Sequence, residues 1–145
     1  MKSSESRFSQ CLYFSANALA RKVEKLAKES WKAIGLSPSH AYLLLLVLEQ
    51  PGVQPGEIAA EIQLTPSTIT RLIEKLEEKK LLIRTTDGKV TNVYATPKAK
   101  ALYPKMKSCL DDFFRQCNEI LGADESARMT QNINKLTDKL GIKKT

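Results

Sequence analysis

Residues 64–100, LTPSTITRLIEKLEEKKLLIRTTDGKVTNVYATPKAK, write a short amphipathic helix followed at once by a tight hairpin. Thr65 is a capping residue whose hydroxyl can accept from the first turn. Pro66 suits the first helical position, where its missing N–H costs nothing. Ile69, Leu72, Ile73 and Leu76 then recur at i, i+3, i+4 and i+7, which predicts one apolar stripe. The opposite face carries Ser67, Thr68, Thr70, Arg71, Glu74 and Lys75.

The segments Leu82 to Thr86 and Lys89 to Thr96 are rich in β-branched residues, with Asp87-Gly88 between them. Asp-Gly predicts a two-residue type I′ turn, which needs positive φ at both central positions. Arg84, Lys89 and the hydroxyls of Thr85, Thr86 and Thr91 would line the projecting pair. Short hydroxyls and an Arg near a helix N-terminus suit entry into a DNA major groove, and a Lys at a hairpin tip can reach a phosphate or a minor groove. Helix then basic-tipped hairpin is the order of a winged helix-turn-helix.

Working outward, residues 6–34 contain neither Gly nor Pro. Phe8, Leu12, Ala16, Leu19, Val23 and Leu26 alternate at three and four residues, predicting one long helix stopped by Gly35. Ser37-Pro38 opens a second helix through YLLLLVLE, apolar nearly all round and therefore central. Pro51-Gly52 ends it, and a third, short helix runs from Pro55 to about Ile62. Beyond the hairpin, Thr96-Pro97 restarts helix to about Leu121, bent at Pro104. A last helix near Asp124–Leu140 carries Met129, Ile133, Leu136 and Leu140 on its apolar face. The expected fold is mainly α with a small β-hairpin wing. Residues 37–100 form the winged helix-turn-helix; residues 1–36 and 101–145 supply helices for dimerisation, because Phe8, Leu12, Leu110, Phe113, Phe114, Ile120 and Leu121 need cover that the reader does not offer. A two-fold dimer places two reading helices in major grooves about 34 Å apart, on a pseudo-palindromic site.

The chain has 145 residues and a net charge of +7, which favours a polyanionic partner. The excess is diffuse: residues 1–36 carry seven basic and three acidic side chains, and residues 51–101 carry eight and six. MKSSESRFSQ lacks the apolar core of a signal peptide, and the run from Ala41 to Leu48 is too short to span a bilayer. Cys11, Cys109 and Cys117 have no metal-ligand spacing and cannot all pair within one chain, so a reduced, cytoplasmic protein without metal, cofactor or membrane is expected. One His, no Gly-rich phosphate loop and no facing carboxylate pair argue against an enzyme.

The whole chain, in order, resembles the MarR family of bacterial winged-helix transcriptional regulators. EIAAEIQLTPSTITRLIEKLEEKKLLIR and DGKVTNVYATPKAKAL carry the resemblance most specifically, the second through Asp87, Lys89 and Thr96. It implies that Ser67, Thr68, Thr70 and Arg71 meet base edges and phosphates; Lys75 on the same helix face and Arg84 on the hairpin are DNA-contact candidates by their position. It also implies that Asp87 orients the wing tip while Lys89 makes the groove or phosphate contact. Lys89 stands where the family has Arg, and the hairpin is short, so the helix should carry more of the recognition than the wing. Family members are dimers that lose DNA affinity on binding small, often phenolic or otherwise aromatic, ligands, and most repress; Trp31, His40 and Tyr42 are the candidate lining here. A thiol-sensing branch keeps a reactive cysteine in the first helix, which makes Cys11 a redox candidate. A winged-helix module for protein partners is the remaining alternative.

Overall fold

The computed structural model describes residues 1–141. Six helices and one hairpin follow each other as α1 (Leu12–Trp31), α2 (Pro38–Glu49), α3 (Pro55–Ile62), α4 (Pro66–Glu78), β1 (Leu82–Asp87), β2 (Val90–Ala95), α5 (Pro97–Leu121) and α6 (Ala123–Gly141). Short 3-10 turns at Ser3–Glu5 and Lys32–Ile34 flank α1.

Four helix starts share one chemistry. Pro38, Pro55, Pro66 and Pro97 all occupy the first turn, and Ser37, Thr65 and Thr96 each accept a hydrogen bond from a backbone N–H three residues on. At α3 the partner is reciprocal: Glu57 accepts from the Gln54 N–H at 3.2 Å. Gly35, at φ +68°, stops the first helical stretch as expected. The core gathers around α2, whose Leu43, Leu44 and Val47 are fully buried with Trp31, Ile58, Ile69, Ile73, Leu76, Leu82, Val93 and Met106. The α4 stripe therefore lies inward, and its polar face is outward.

The first helix starts later than expected, at Leu12 rather than near Ser6. Serines explain the difference. The Ser6 hydroxyl accepts from the Phe8 N–H at 3.1 Å, and the Ser15 hydroxyl donates to the Ser9 carbonyl at 3.2 Å, so local bonds replace the helical ladder. Phe8 folds back onto Phe14 with ring centroids 5.9 Å apart.

The hairpin turn also differs. Register pairs Asp87 with Val90, so Gly88-Lys89 is the turn and Asp87 is the last residue of β1. Gly88 has φ +64° and Lys89 is not among the positive-φ residues, which is the type II′ pattern rather than type I′. Only the first central residue then needs a left-handed φ, and glycine supplies it. A third short edge joins the pair: the Val93 N–H donates to the Val53 carbonyl at 3.0 Å, and the Gly52 N–H donates to the Val93 carbonyl at 2.9 Å. Downstream, α5 runs continuously through Pro104.

Since Ile73 is 1 % exposed within this core, Ile73→Ala is expected to lower the unfolding free energy by about 2–5 kcal/mol in urea titration. Thr65→Ala, which removes the α4 cap, should cost about 0.5–2 kcal/mol. An Ile73→Ala cost below that of the cap would mean that α4 does not sit on the core.

Candidate nucleic-acid interface

The polar face of α4 begins in a knot of hydroxyls. Thr65 Oγ1 lies 3.3 Å from Ser67 Oγ and 2.9 Å from Thr68 Oγ1, and it accepts the Thr68 N–H at 3.4 Å. Thr70 donates its hydroxyl to the Pro66 carbonyl at 3.0 Å. Ser67, Thr70, Arg71, Glu74 and Lys75 are exposed, while Thr68 is half-buried. Among the described residues Arg71, Lys75 and Lys89 form no ion pair, so three cations on the α4 face and the wing tip stand ready for an anion.

Arg84 is placed differently from the sequence-based expectation. Its guanidinium binds Glu77 Oε1 at 2.7 Å, joining the start of the wing to the last turn of α4. That pairing occupies it as a brace and takes it out of the freely offered cations. Asp87, expected to orient the wing tip, makes no side-chain hydrogen bond among the described residues, although it closes β1 next to the turn. Further braces come from residues that the sequence did not single out for this job. Thr96 donates its hydroxyl to the Lys80 carbonyl at 2.7 Å, and Lys98 Nζ donates to the Lys79 carbonyl at 3.1 Å. Lys80 itself turns the chain out of α4 with φ +62°. Helix and wing are thus held in one relative orientation by side chains from α4, β1 and α5.

The three ligand candidates are not brought to one cavity. Trp31 is fully buried in the core, edge-on to Tyr42 with centroids 5.8 Å apart, and its indole N–H has no acceptor among the described residues. Burial, with Cys117 nearby, raises the Tyr42 phenol above its usual range. Tyr42 borders a shallow groove with Pro38, Glu61 and Leu64, whereas His40 lines a separate cleft against α4. A third, more apolar groove opens between α1 and α5, walled by Leu19, Val23, Leu26, Cys117, Ile120 and Leu121. The three thiols are free: Cys11 is exposed at the α1 cap, Cys109 is buried and Cys117 is half-buried. Burial raises the thiols of Cys109 and Cys117.

Residues 34–90 match the MarR family. The matched stretch runs from just before α2 to the turn of the wing. The HTH-type transcriptional repressor MdtR of Bacillus subtilis (strain 168) is 29 % identical over 89 residues, covering 61 % of this chain and 57 % of that protein. The chain thus spans less than two thirds of the length of this curated relative. Among solved structures, the transcriptional repressor CouR bound to a 23-mer DNA duplex superposes with TM-score 0.81 at 20 % identity, covering 94 % of this chain and 98 % of its own. CouR from Rhodococcus jostii RHA1 bound to p-coumaroyl-CoA gives TM-score 0.76 at 22 % identity, covering 99 % of each chain. The likeness to the CouR fold therefore extends beyond the matched segment into the terminal helices. No single helix among the described residues is long and apolar enough to cross a membrane.

His40 gives this surface a measurable signature. Burial first, then the charges of Lys79 and Lys75, hold its imidazole below the usual histidine value. The unfolded chain therefore takes up a proton at His40 more readily than the folded one. Stability from this group is present above about pH 6.5 and is lost as the pH falls through the folded value. The urea midpoint should decline between neutral and mildly acid pH, and decline less in His40→Gln; equal declines would remove His40 as the cause.

Proposed function

We propose that the chain is a homodimeric, sequence-specific DNA-binding regulator of transcription that reads a pseudo-palindromic operator mainly through α4. The observation that carries this reading is the α4 geometry. A stripe of Ile69, Ile73 and Leu76 is buried, while Ser67, Thr70, Arg71 and Lys75 stand exposed on the opposite side, inside a MarR-family segment. Ser67, Thr68, Thr70 and Arg71 meet base edges and phosphates, Lys75 meets phosphate, and Lys89 at the wing turn adds a backbone contact, with Asp87 flanking it. Arg84 acts indirectly, by holding the wing through Glu77.

Dimerisation falls to the helices outside residues 37–100. Ile120 is 69 % exposed and Leu140 76 %, and Leu12, Phe114, Leu121, Ile133 and Leu136 are also exposed, so α1, α5 and α6 present apolar faces that a second copy would cover. Residues 142–145, counted with this region on sequence grounds, lie outside the described residues. Repression, the activity named for MdtR, is the proposed sign of regulation, in the cytoplasm where bacterial DNA lies. Release by a small aromatic ligand is proposed from the ligand-bound CouR structure, with the apolar α1–α5 groove, whose Cys117 adjoins Tyr42, as the place with room for one.

Selection of bound sequences from random duplex DNA tests the reading. With the duplex so recovered, Arg71→Ala should weaken binding by about 1–3 kcal/mol and relax sequence preference. Lys89→Ala should weaken binding evenly across sequences and reduce the salt slope by about one. Full affinity in both variants would refute the α4 assignment, and failure to recover any duplex would favour a protein-binding winged helix.

A second reading rests on the exposure of Cys11. If that thiol senses oxidants, peroxide should abolish DNA binding by the wild-type protein and spare Cys11→Ser. Identical responses would end the redox reading.

A further inference from the structure

His40 is the chain's single histidine, and the structure sets it against the reading helix, away from the apolar junction of Trp31 and Tyr42. It lines a cleft of about 430 Å3 between the first turn of α2 and the outer side of α4, together with Thr68, Arg71, Glu74, Lys75 and Glu78. Ser37 Oγ sits 2.6 Å from His40 Nδ1, which fixes the ring and leaves Nε2 without a hydrogen bond among the described residues. The backbone N–H of His40 already donates to Ser37 Oγ at 3.4 Å, so the cleft offers side chains and not a bare helix end.

The charged groups facing the ring all come from α4 and its C-cap residue Lys79. Arg71, Lys75 and Lys79 are cationic, Glu74 and Glu78 anionic, and α2 contributes only the Ser37 hydroxyl. The lysines act on the imidazole in one direction: after burial, Lys79 and then Lys75 hold its pKa below the ordinary histidine value. A cleft with an unengaged ring nitrogen, a lysine that forms no ion pair among the described residues and an excess of positive field is suited to a phosphate oxyanion, a singly charged phosphodiester included. It borders Arg71, which faces the DNA in the function proposed above.

We propose that this cleft receives a backbone phosphate of the bound DNA, held by Lys75 and by His40 as an imidazolium. The phosphate charge replaces the repulsion between ring and lysines with a shared attraction, and one proton passes from solvent to the imidazole. Nδ1–H then donates to Ser37 Oγ, and Nε2–H donates to a phosphate oxygen. No bond other than that N–H forms. Binding therefore takes up a proton, and affinity rises as the pH falls through the histidine range.

The inference rests on the DNA-binding reading, and the test keeps the two apart by using a duplex already recovered by selection at neutral pH. Affinity of the full-length protein for that duplex should tighten about three- to tenfold between about pH 7.5 and pH 6, and His40→Gln should lose most of this dependence while still binding. The ring proton resonances of a single histidine are free of overlap from other histidines, so NMR follows the same group in the wild-type protein. Its titration should move to higher pH on adding the duplex, and inorganic phosphate at millimolar concentration should leave it in place. An unchanged titration on DNA, or the same pH dependence in His40→Gln, would overturn the proposal. A shift produced equally by inorganic phosphate would assign the cleft to free anions and overturn the DNA contact.

Discussion

Burial of one side of α4 against α2 is the constraint from which the rest follows. Ile69, Ile73 and Leu76 are sealed among Leu43, Leu44 and Val47, and a helix with one stripe committed to a core has only one face left for recognition. Each buried aliphatic side chain of this kind is worth about 1.5–3 kcal/mol, so rotating α4 to present another face would forfeit several of them at once. The reading surface is therefore fixed by packing before any DNA is present. The wing inherits its position from the same helix, through Arg84 on Glu77 and through Thr96 and Lys98 on the carbonyls that end α4.

Much of this was legible in the sequence, for local reasons. A hydroxyl followed by Pro marks a helix start whatever surrounds it, and Ser37, Thr65 and Thr96 all behave so. The 3.6-residue stripe of α4 and the nearly uniform apolarity of α2 likewise foretold which was half-buried and which was central. The N-terminal segment misled because Phe8 keeps the apolar rhythm while Ser6 and Ser9 spend the local hydrogen bonds otherwise. The turn lies one residue later than Asp-Gly suggests, since Asp-Gly and Gly-Lys both place Gly at a position able to take positive φ.

The candidate site was less legible, because its decisive contacts join residues far apart in sequence. Nothing local distinguishes Arg84, tied to Glu77, from Lys89, which stands free of ion pairs among the described residues. His40 reads as a first-turn residue of α2, and only the tertiary fold brings it beside Lys75 and Lys79. Trp31, His40 and Tyr42 lie close in sequence, whereas the fold separates the histidine from the two aromatics.

The chain as a single copy is unfinished on one side. The winged-helix segment buries its own core, but α1, α5 and α6 expose Leu12, Phe114, Ile120, Leu121 and Leu140, and the net charge of +7 is spread along the chain rather than gathered on residues 51–101. The proposed doubling of the chain would answer both needs, covering the apolar faces and presenting two α4 helices to successive grooves. Sedimentation equilibrium at micromolar concentration, free and on a selected duplex, addresses this most directly. The account requires twice the 16.2 kDa chain mass in both states, with two chains per duplex. A free species of one chain mass that binds its duplex one to one would contradict it.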